Sequence, residues 1–396
     1  MAAYTNYRRD PRVRREAEAL TTHGFRVTFM ASSQPNEPDR ETVSGVEVIK
    51  VRSLGNRRTS MAVYILDYTL FLFWSMLHLT LRPRRYALIH VNNMPDFLVF
   101  AAWLPRLLGV PVIHDVHDLM PELFEEKFSG RRYGRWIAGV IRAQERWAGR
   151  FASAVLTVED RLKGILAARG VPPDRIHVLM NLPDDRLFAP RLATPARSAH
   201  SPVVIVYHGT LARRLGLDFA ILALQQVRAA GHDCVLRIIG AGEEREALIS
   251  LRDRLGLGEA VEFSAGFVPV QDVPQLIADA DIGICPLRVS DGTDIMLPTK
   301  LLEYVTIGIP CIVPRTTTIT RYFDDTMVQF FDAEDVQSLA SAIAALAQSP
   351  ARRQALASEA TRRFATTYRW SHHQRVYVDL VRRLIAGADR NALSAQ

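Results

Sequence analysis

The sequence predicts an α/β protein built from two doubly wound parallel sheets, and three observations carry that expectation. Apolar strand-like runs alternate with amphipathic helical stretches along the whole chain, the pattern of repeated βαβ units. The 396 residues are too many for one ordinary core, and with 48% hydrophobic and 23% charged they are too apolar for a disordered chain. Near the middle, Phe188 to Pro202 is rich in Pro, Ala and Ser and lacks periodicity, so it reads as a linker.

In the first half, strands are expected at Arg26–Met30, Gly45–Val51, Ala87–Val91, Val110–Asp115 and Ser153–Val158. In the second half they are expected at Val203–Tyr207, Cys234–Ile239, Ala260–Phe263, Ile282–Pro286 and Pro310–Val313. The resulting domains are 1–195, 196–370, and a terminal helix and tail, 371–396, that packs back on the first domain. Residues Met1–Tyr7 supply only the end of an opening strand before the charged stretch Arg8–Arg15. Loss of a central parallel strand would expose a broad apolar surface, so the true start is expected upstream.

Charge is uneven: residues 1–200 carry 29 Lys+Arg against 20 Asp+Glu, leaving 20 against 22 for the remainder of the 49 and 42. No zinc-ligand spacing or RNP-like aromatic motif accompanies the basic half, so nucleic acid is not an expected partner, and lipid or phosphate is. The three cysteines, Cys234, Cys285 and Cys311, sit in apolar runs as small buried hydrophobes, which suits a reducing, cytoplasmic compartment. The chain opens without an apolar signal-peptide segment. Asp67 and His78 interrupt the apolar stretch Ala62–Leu81, which is expected to lie on an anionic inner-membrane surface rather than span it. Phe71, Phe73, Trp74, Met76 and Leu77 would form its apolar face, with Arg57, Arg58, Arg82, Arg84 and Arg85 at its flanks. The plain alternative is a core helix of the first domain.

The sharpest constellation is Asp294-Ile-Met-Leu-Pro298-Thr299-Lys300-Leu-Leu-Glu303-Tyr304, followed by Gly308-Ile-Pro310. Pro298 suits the first turn of a helix, whose free amides, with Thr299 and Lys300, form an anion site for a diphosphate. Glu303 follows one turn later, where a carboxylate accepts both hydroxyls of a ribose. An ordinary capped helix with an ion pair is the bland reading. Upstream, strand Val203–Tyr207 runs into His208-Gly209-Thr210-Leu-Ala-Arg213-Arg214-Leu-Gly216 before the helix Leu217–Ala229, a second loop at which backbone and arginine meet a phosphate.

These fragments, together with Asp10-Pro-Arg-Val-Arg-Arg-Glu-Ala-Glu-Ala-Leu20, His23-Gly-Phe-Arg-Val27, His114-Asp-Val-His-Asp-Leu-Met-Pro-Glu122 and Ile239-Gly-Ala-Gly242, resemble in order and spacing the retaining glycosyltransferase family 4. The resemblance covers nearly the whole chain and implies the GT-B fold, two Rossmann-like domains facing a central cleft. It further implies that Arg214 and Lys300 hold the diphosphate, with Gly209, Thr210, Pro298 and Thr299 lining it. Glu303 would hold the ribose, and Gly266, Phe267 and Val268 the base. By the same resemblance His117 sits beside the transferred sugar on the acceptor side; read from its residues alone, the alternatives are a structural histidine and, far less favoured because no second cluster accompanies it, a metal ligand. The implied donor is a nucleoside-diphosphate sugar and the acceptor lipid-linked or a glycan of the cell envelope, with no metal or other cofactor required.

The chain departs from the family where many members carry two glutamates eight positions apart, because the first is Ile295 here, leaving Asp294 or the Gly292-Thr293 backbone to serve instead. Two other functions stay open: a nucleotide-sugar epimerase on the same architecture, and a degenerate, non-catalytic partner at the membrane. An NAD oxidoreductase lacks its full G-x-G-x-x-G signature here.

Overall fold

The computed structural model describes the backbone of residues 1–396 except 34–36, 52–60, 123, 125–133, 192–200 and 395–396. Two compact units result: Met1–Asn181 with Ser371–Gln396, and Leu182–Trp370. The division therefore falls at residue 181, ahead of the proline-rich stretch. Phe188 in that stretch is buried, Arg191 donates to the Ile307, Ala278 and Ala280 carbonyls, and residues 192–200 lie outside the described residues.

The first unit holds β1 (Thr28–Ser32), β2 (Arg40–Val43), β3 (Val46–Val51), β4 (Ile89–Asn92), β5 (Val112–Val116), β6 (Ala154–Thr157) and β7 (Ile176–Val178). Their order is β1-β3-β2 in one group and β4-β5-β6-β7 in the other. Between the groups runs the start of the chain: Ala2 bridges Met30 of β1 and Val91 of β4, both in parallel sense. Ala2 donates to the His90 carbonyl at 2.9 Å and Ala3 to that of Met30 at 3.1 Å. The Met1 amine donates to the Thr28 carbonyl at 2.7 Å, and burial pushes its pKa down to about 5. β2 and β7 are not foreseen by the sequence reading; both are short, and β2 is polar on its outer face.

Asp10 starts the helix Pro11–Thr22 by accepting from the amides of Arg12 and Val13, with Pro11 in the first turn. The helix Met61–Thr80 turns Asp67, Phe71, Ser75 and Leu79 inward at four-residue spacing. Phe71 and Leu79 join Val91, Leu98, Val99 and Ala102 in the core, so Phe71 does not belong to the outer apolar face expected for it. Asp67 accepts the Tyr4 hydroxyl, which satisfies the charge that breaks the apolar run.

The second unit holds β8 (Val203–His208), β9 (Cys234–Ile239), β10 (Val261–Phe263), β11 (Ile282–Ile284), β12 (Cys311–Pro314) and β13 (Gln329–Phe331). All are parallel, in the order β10-β9-β8-β11-β12-β13, so the strand order reverses between β8 and β11. Ligands of open α/β sheets bind beyond the carboxyl ends of strands at such a reversal. The loops there pack backbone on backbone. A Cβ on Gly240 would lie 1.9 Å from the Gly209 carbonyl oxygen, and one on Gly242 2.2 Å from that of Leu211.

Gly240 also holds φ +144°, a conformation that L side chains rarely adopt. Gly240→Ala is therefore expected to destabilise the second unit by about 1–3 kcal/mol, as overpacking does. A lowered urea midpoint on circular dichroism checks this, and an unchanged midpoint refutes the contact.

Candidate functional site

Tyr207 and His208 end β8 at the reversal, and Gly209 follows with φ +123°. Lys300, the second residue of the helix Thr299–Ile307, places its Nζ 4.7 Å over the Tyr207 ring. Its Cε would lie 3.4 Å from a Cβ on Gly209, so the loop and the lysine meet where glycine leaves room. Burial works against the ammonium, yet Tyr207, Cys285 and Glu303 together hold its pKa above the ordinary lysine value. Pro298 precedes this helix as its cap residue, one position earlier than expected, and no side chain caps the first turn. Thr299 is exposed at the helix start.

Arg214 belongs to the turn Arg213–Leu215 and is half-buried, with an Nε that has no hydrogen-bond partner. Gly216 closes the turn at φ +64°, where a Cβ would lie 1.9 Å from the Pro286 carbonyl oxygen. Arg288 braces the same turn: its amide donates to the Arg214 carbonyl at 3.0 Å and its Nε to that of Arg213 at 3.1 Å. Thr210 is exposed, and its carbonyl accepts the Tyr207 hydroxyl at 2.6 Å.

Glu303 lies one turn beyond Lys300, and its Oε2 is 3.2 Å from His208 Nε2. Sequence reasoning had His208 only as part of a matching fragment, because nothing in the spacing shows which side chain of another element will face it. Asp294 accepts from the Thr317 amide at 2.7 Å at the start of the helix Thr317–Tyr322. Ile295 is buried, and the Thr293 hydroxyl is occupied by the Arg288 carbonyl and the Ser290 amide. Further along, Gly266 has φ +155°, and Phe267 and Val268 line an open cavity of about 600 Å³ with Arg237, Pro269, Gln275 and Leu276.

In the first unit, His117 follows β5. Its amide donates to Asn93 Oδ1 at 3.2 Å, its Nδ1 lies 4.0 Å from Asp115 Oδ2, and its side chain is 23% exposed. Beneath it lies a buried network. Arg12 donates to both Asp115 oxygens at 2.8 and 2.7 Å and lies 3.2 Å from Glu16; Asn92 donates to Glu16 and Asp115; His90 meets the Tyr377 hydroxyl at 2.7 Å. Among the described residues Glu16, His90 and Asp115 bring their ligand atoms within 4.8 Å of one another, yet Arg12 and Asn92 already bind both carboxylates. That donor set suits the guanidinium rather than a metal ion. His117 is not one of the three.

Two carboxylates share one guanidinium, so they titrate apart. Burial and then the Asp115 charge push Glu16 well above the ordinary carboxylate range, while Arg12 holds Asp115 far below it against burial. A carboxyl whose pKa rises on folding binds a proton that the unfolded chain releases, so stability falls as pH rises from the ordinary glutamate range to about 8. Glu16→Gln copies the protonated form. Its stability is expected to gain on the parent across that window, checked by urea unfolding at a series of pH values; parallel curves refute the assignment.

Residues 10–181 match the family described as glycosyl transferase 4-like domain, and residues 193–363 that described as glycosyl transferases group 1. WcaL of Escherichia coli, provisionally named a colanic acid biosynthesis glycosyltransferase, is 29% identical over 49% of this chain and 47% of its own. A GDP-mannose-dependent phosphatidylinositol monomannoside mannosyltransferase of Mycolicibacterium smegmatis is 28% identical over 57% of this chain and 61% of its own. The chain thus spans about half the length of the curated relatives it matches. The solved sucrose-phosphate synthase of Thermosynechococcus elongatus superposes with a TM-score of 0.79 at 19% identity, covering 98% of this chain and 99% of that one, which shows the GT-B fold.

Proposed function

Because the chain belongs to the glycosyltransferases, a 4-like domain followed by a group 1 domain, we propose that it transfers a sugar from a nucleoside diphosphate, with retention, to a lipid-linked or envelope-polysaccharide acceptor. One observation carries this reading. At the strand reversal of the second unit, two cations, Lys300 and Arg214 with its unpartnered Nε, accompany a side-chain-free loop at Gly209 and a helix start without a side-chain cap.

In this reading the diphosphate lies against Gly209, Thr210 and the helix start at Pro298 and Thr299. Charge develops on the β-phosphate as the glycosidic bond breaks, and Arg214 and Lys300 stabilise it in a site fixed beforehand. The departing phosphate takes the acceptor proton, so the reading calls for no metal and no covalent enzyme nucleophile. Glu303 accepts the ribose hydroxyls, and the Gly266, Phe267 and Val268 stretch receives the base. His117 serves the acceptor and sugar, supported by its half-open ring at the carboxyl end of β5. The relatives' names, one given provisionally for colanic acid biosynthesis and one for a phosphatidylinositol monomannoside acceptor, support an acceptor of the cell envelope.

Lys300→Ala and Glu303→Ala are each expected to weaken nucleoside diphosphate binding by about tenfold or more, the scale of one charge-assisted contact. His117→Ala should lower turnover more than binding. Calorimetry with UDP, GDP, ADP and dTDP, beside turnover, checks both; near-normal values in the first two variants sink the donor site, and no binding by the parent favours a non-catalytic partner.

No described helix is long and apolar enough to cross a membrane. The proposed location is the inner face of the cytoplasmic membrane. Its support is the outer side of the helix Met61–Thr80, where Ile65, Leu66, Phe73 and Trp74 are exposed, with Leu81 and exposed Arg82, Arg84 and Arg85 just beyond. Arg57 and Arg58 lie outside the described residues. Each basic residue near an anionic surface adds about 1 kcal/mol. The protein is expected to float with anionic vesicles at low salt and release as salt rises, and Arg82, Arg84 and Arg85 changed to Ser to float poorly. Failure of the parent to float at any lipid composition removes the membrane role.

A further inference from the structure

We infer that His208 is the residue that positions the Glu303 carboxylate for the ribose, and so sets a preference for ribonucleoside over 2′-deoxyribonucleoside diphosphates; this rests on the donor reading above. His208 is the last residue of β8, is 6% exposed, and brings its Nε2 to 3.2 Å from Glu303 Oε2. That nitrogen makes no hydrogen bond in this structure, so it is a buried polar atom 3.2 Å from the proposed ribose-binding carboxylate, a separation at which a slight turn of either group forms the bond.

The ring cannot swing away cheaply. It stands edge-on to Tyr304, with centroids 5.1 Å apart and planes at 86°, and the Tyr304 hydroxyl donates to the Val206 carbonyl at 3.0 Å. Tyr304 in turn occupies the space above Gly283, where a Cβ would lie 2.5 Å from its ring. Gly283, Tyr304 and His208 thus form a chain of contacts across β11, the helix and β8 that ends on Glu303.

Burial and then the Lys300 ammonium push the His208 pKa down to about 3. The imidazole is therefore neutral near neutral pH, and its contact with a carboxylate is attractive only with the proton on Nε2. In the proposed role a neutral N–H donates to the carboxylate as the ribose binds, orienting it without cancelling the charge that meets the two hydroxyls. A cation there would compete for that charge with the substrate. A carboxylate held in one orientation also discriminates: when the 2′-hydroxyl is missing, an oriented oxygen loses its partner.

The test uses the full chain and calorimetry with UDP, GDP and ADP, each beside its 2′-deoxy counterpart, on the parent, His208→Phe, His208→Gln and Glu303→Ala. The parent is expected to prefer the ribo form by about tenfold or more, the worth of one hydrogen bond to a charged group. His208→Phe should bring the ratio to within about twofold while binding the deoxy form as the parent does, and His208→Gln, which keeps a donor, should restore part of the ratio. A merely structural residue would weaken both forms together, and that outcome, or an unchanged ratio in His208→Phe, overturns the proposal. If His208→Phe does not fold, His208→Gln decides: a ratio between those of the parent and Glu303→Ala supports the role, and a parent-like ratio overturns it. A parent-like ratio in Glu303→Ala removes the ribose role of Glu303 itself and takes this inference with it. Loss of the ratio in Glu303→Ala but not in His208→Phe leaves that role standing and removes only His208.

Discussion

Backbone packed directly on backbone is the constraint on which the strand-reversal site of the second unit depends. Gly240 rests on the Gly209 carbonyl, Gly242 on Leu211 and Gly216 on the Pro286 carbonyl, with no space for a side chain at any of the three. Peptide groups at such contacts are fixed by neighbours that cannot move independently, and the loops after β8, β9 and β11 are tied into one surface. Lys300 and Arg214 project from this rigid frame, so their charges need little rearrangement to meet an anion. Fixed dipoles and charges are what electrostatic catalysis requires.

The first unit solves a different problem, that of joining distant segments around its sheet. Arg12, Asn92, Asp115 and Tyr377 come from a helix near the start, two strands and the terminal helix, and the buried network ties all four together. Burying ions is costly, and the cost is limited here because one guanidinium serves two carboxylates and Glu16 keeps its proton. Removing a single partner would leave an uncompensated charge in the core. The terminal helix joins this network through the Tyr377 hydroxyl at the His90 ring. The same carboxylate, Asp115, faces the ring of His117, so the network reaches the carboxyl end of β5.

The helix Met61–Thr80 distributes its residues against the usual expectation. Asp67 and Ser75 face the core while Ile65, Leu66, Phe73 and Trp74 face outward. Counting apolar residues over the segment treats all sides alike and so does not separate the two faces. Tyr4, 63 positions away, is what allows an aspartate to be buried. Exposed large apolar side chains beside basic residues are the sort of surface that has a partner.

Local patterns were enough for the parts of this protein that depend on near neighbours in the chain. The alternation of strands and helices, the two-domain α/β class, ten of the strands to within about two residues, and the run from Pro298 to Tyr304 all follow from periodicity, capping and turn chemistry. β2, β7 and β13 are not among them: each is short and includes polar residues, Arg40, Glu41 and Thr42 in the first, His177 in the second and Gln329 in the third. The end of the first domain was placed too late, since a proline-rich composition marks irregular backbone whether or not that backbone is packed, and Phe188 is packed. Only the folded chain decided that Phe71 turns inward, that Asp294 holds the helix after β12, that Arg12 binds Asp115 across 103 residues, and that His208 faces Glu303. Each of these is a contact between elements far apart in sequence. Which side chains meet there depends on strand order and on the register of whole elements, and spacing along the chain contains neither.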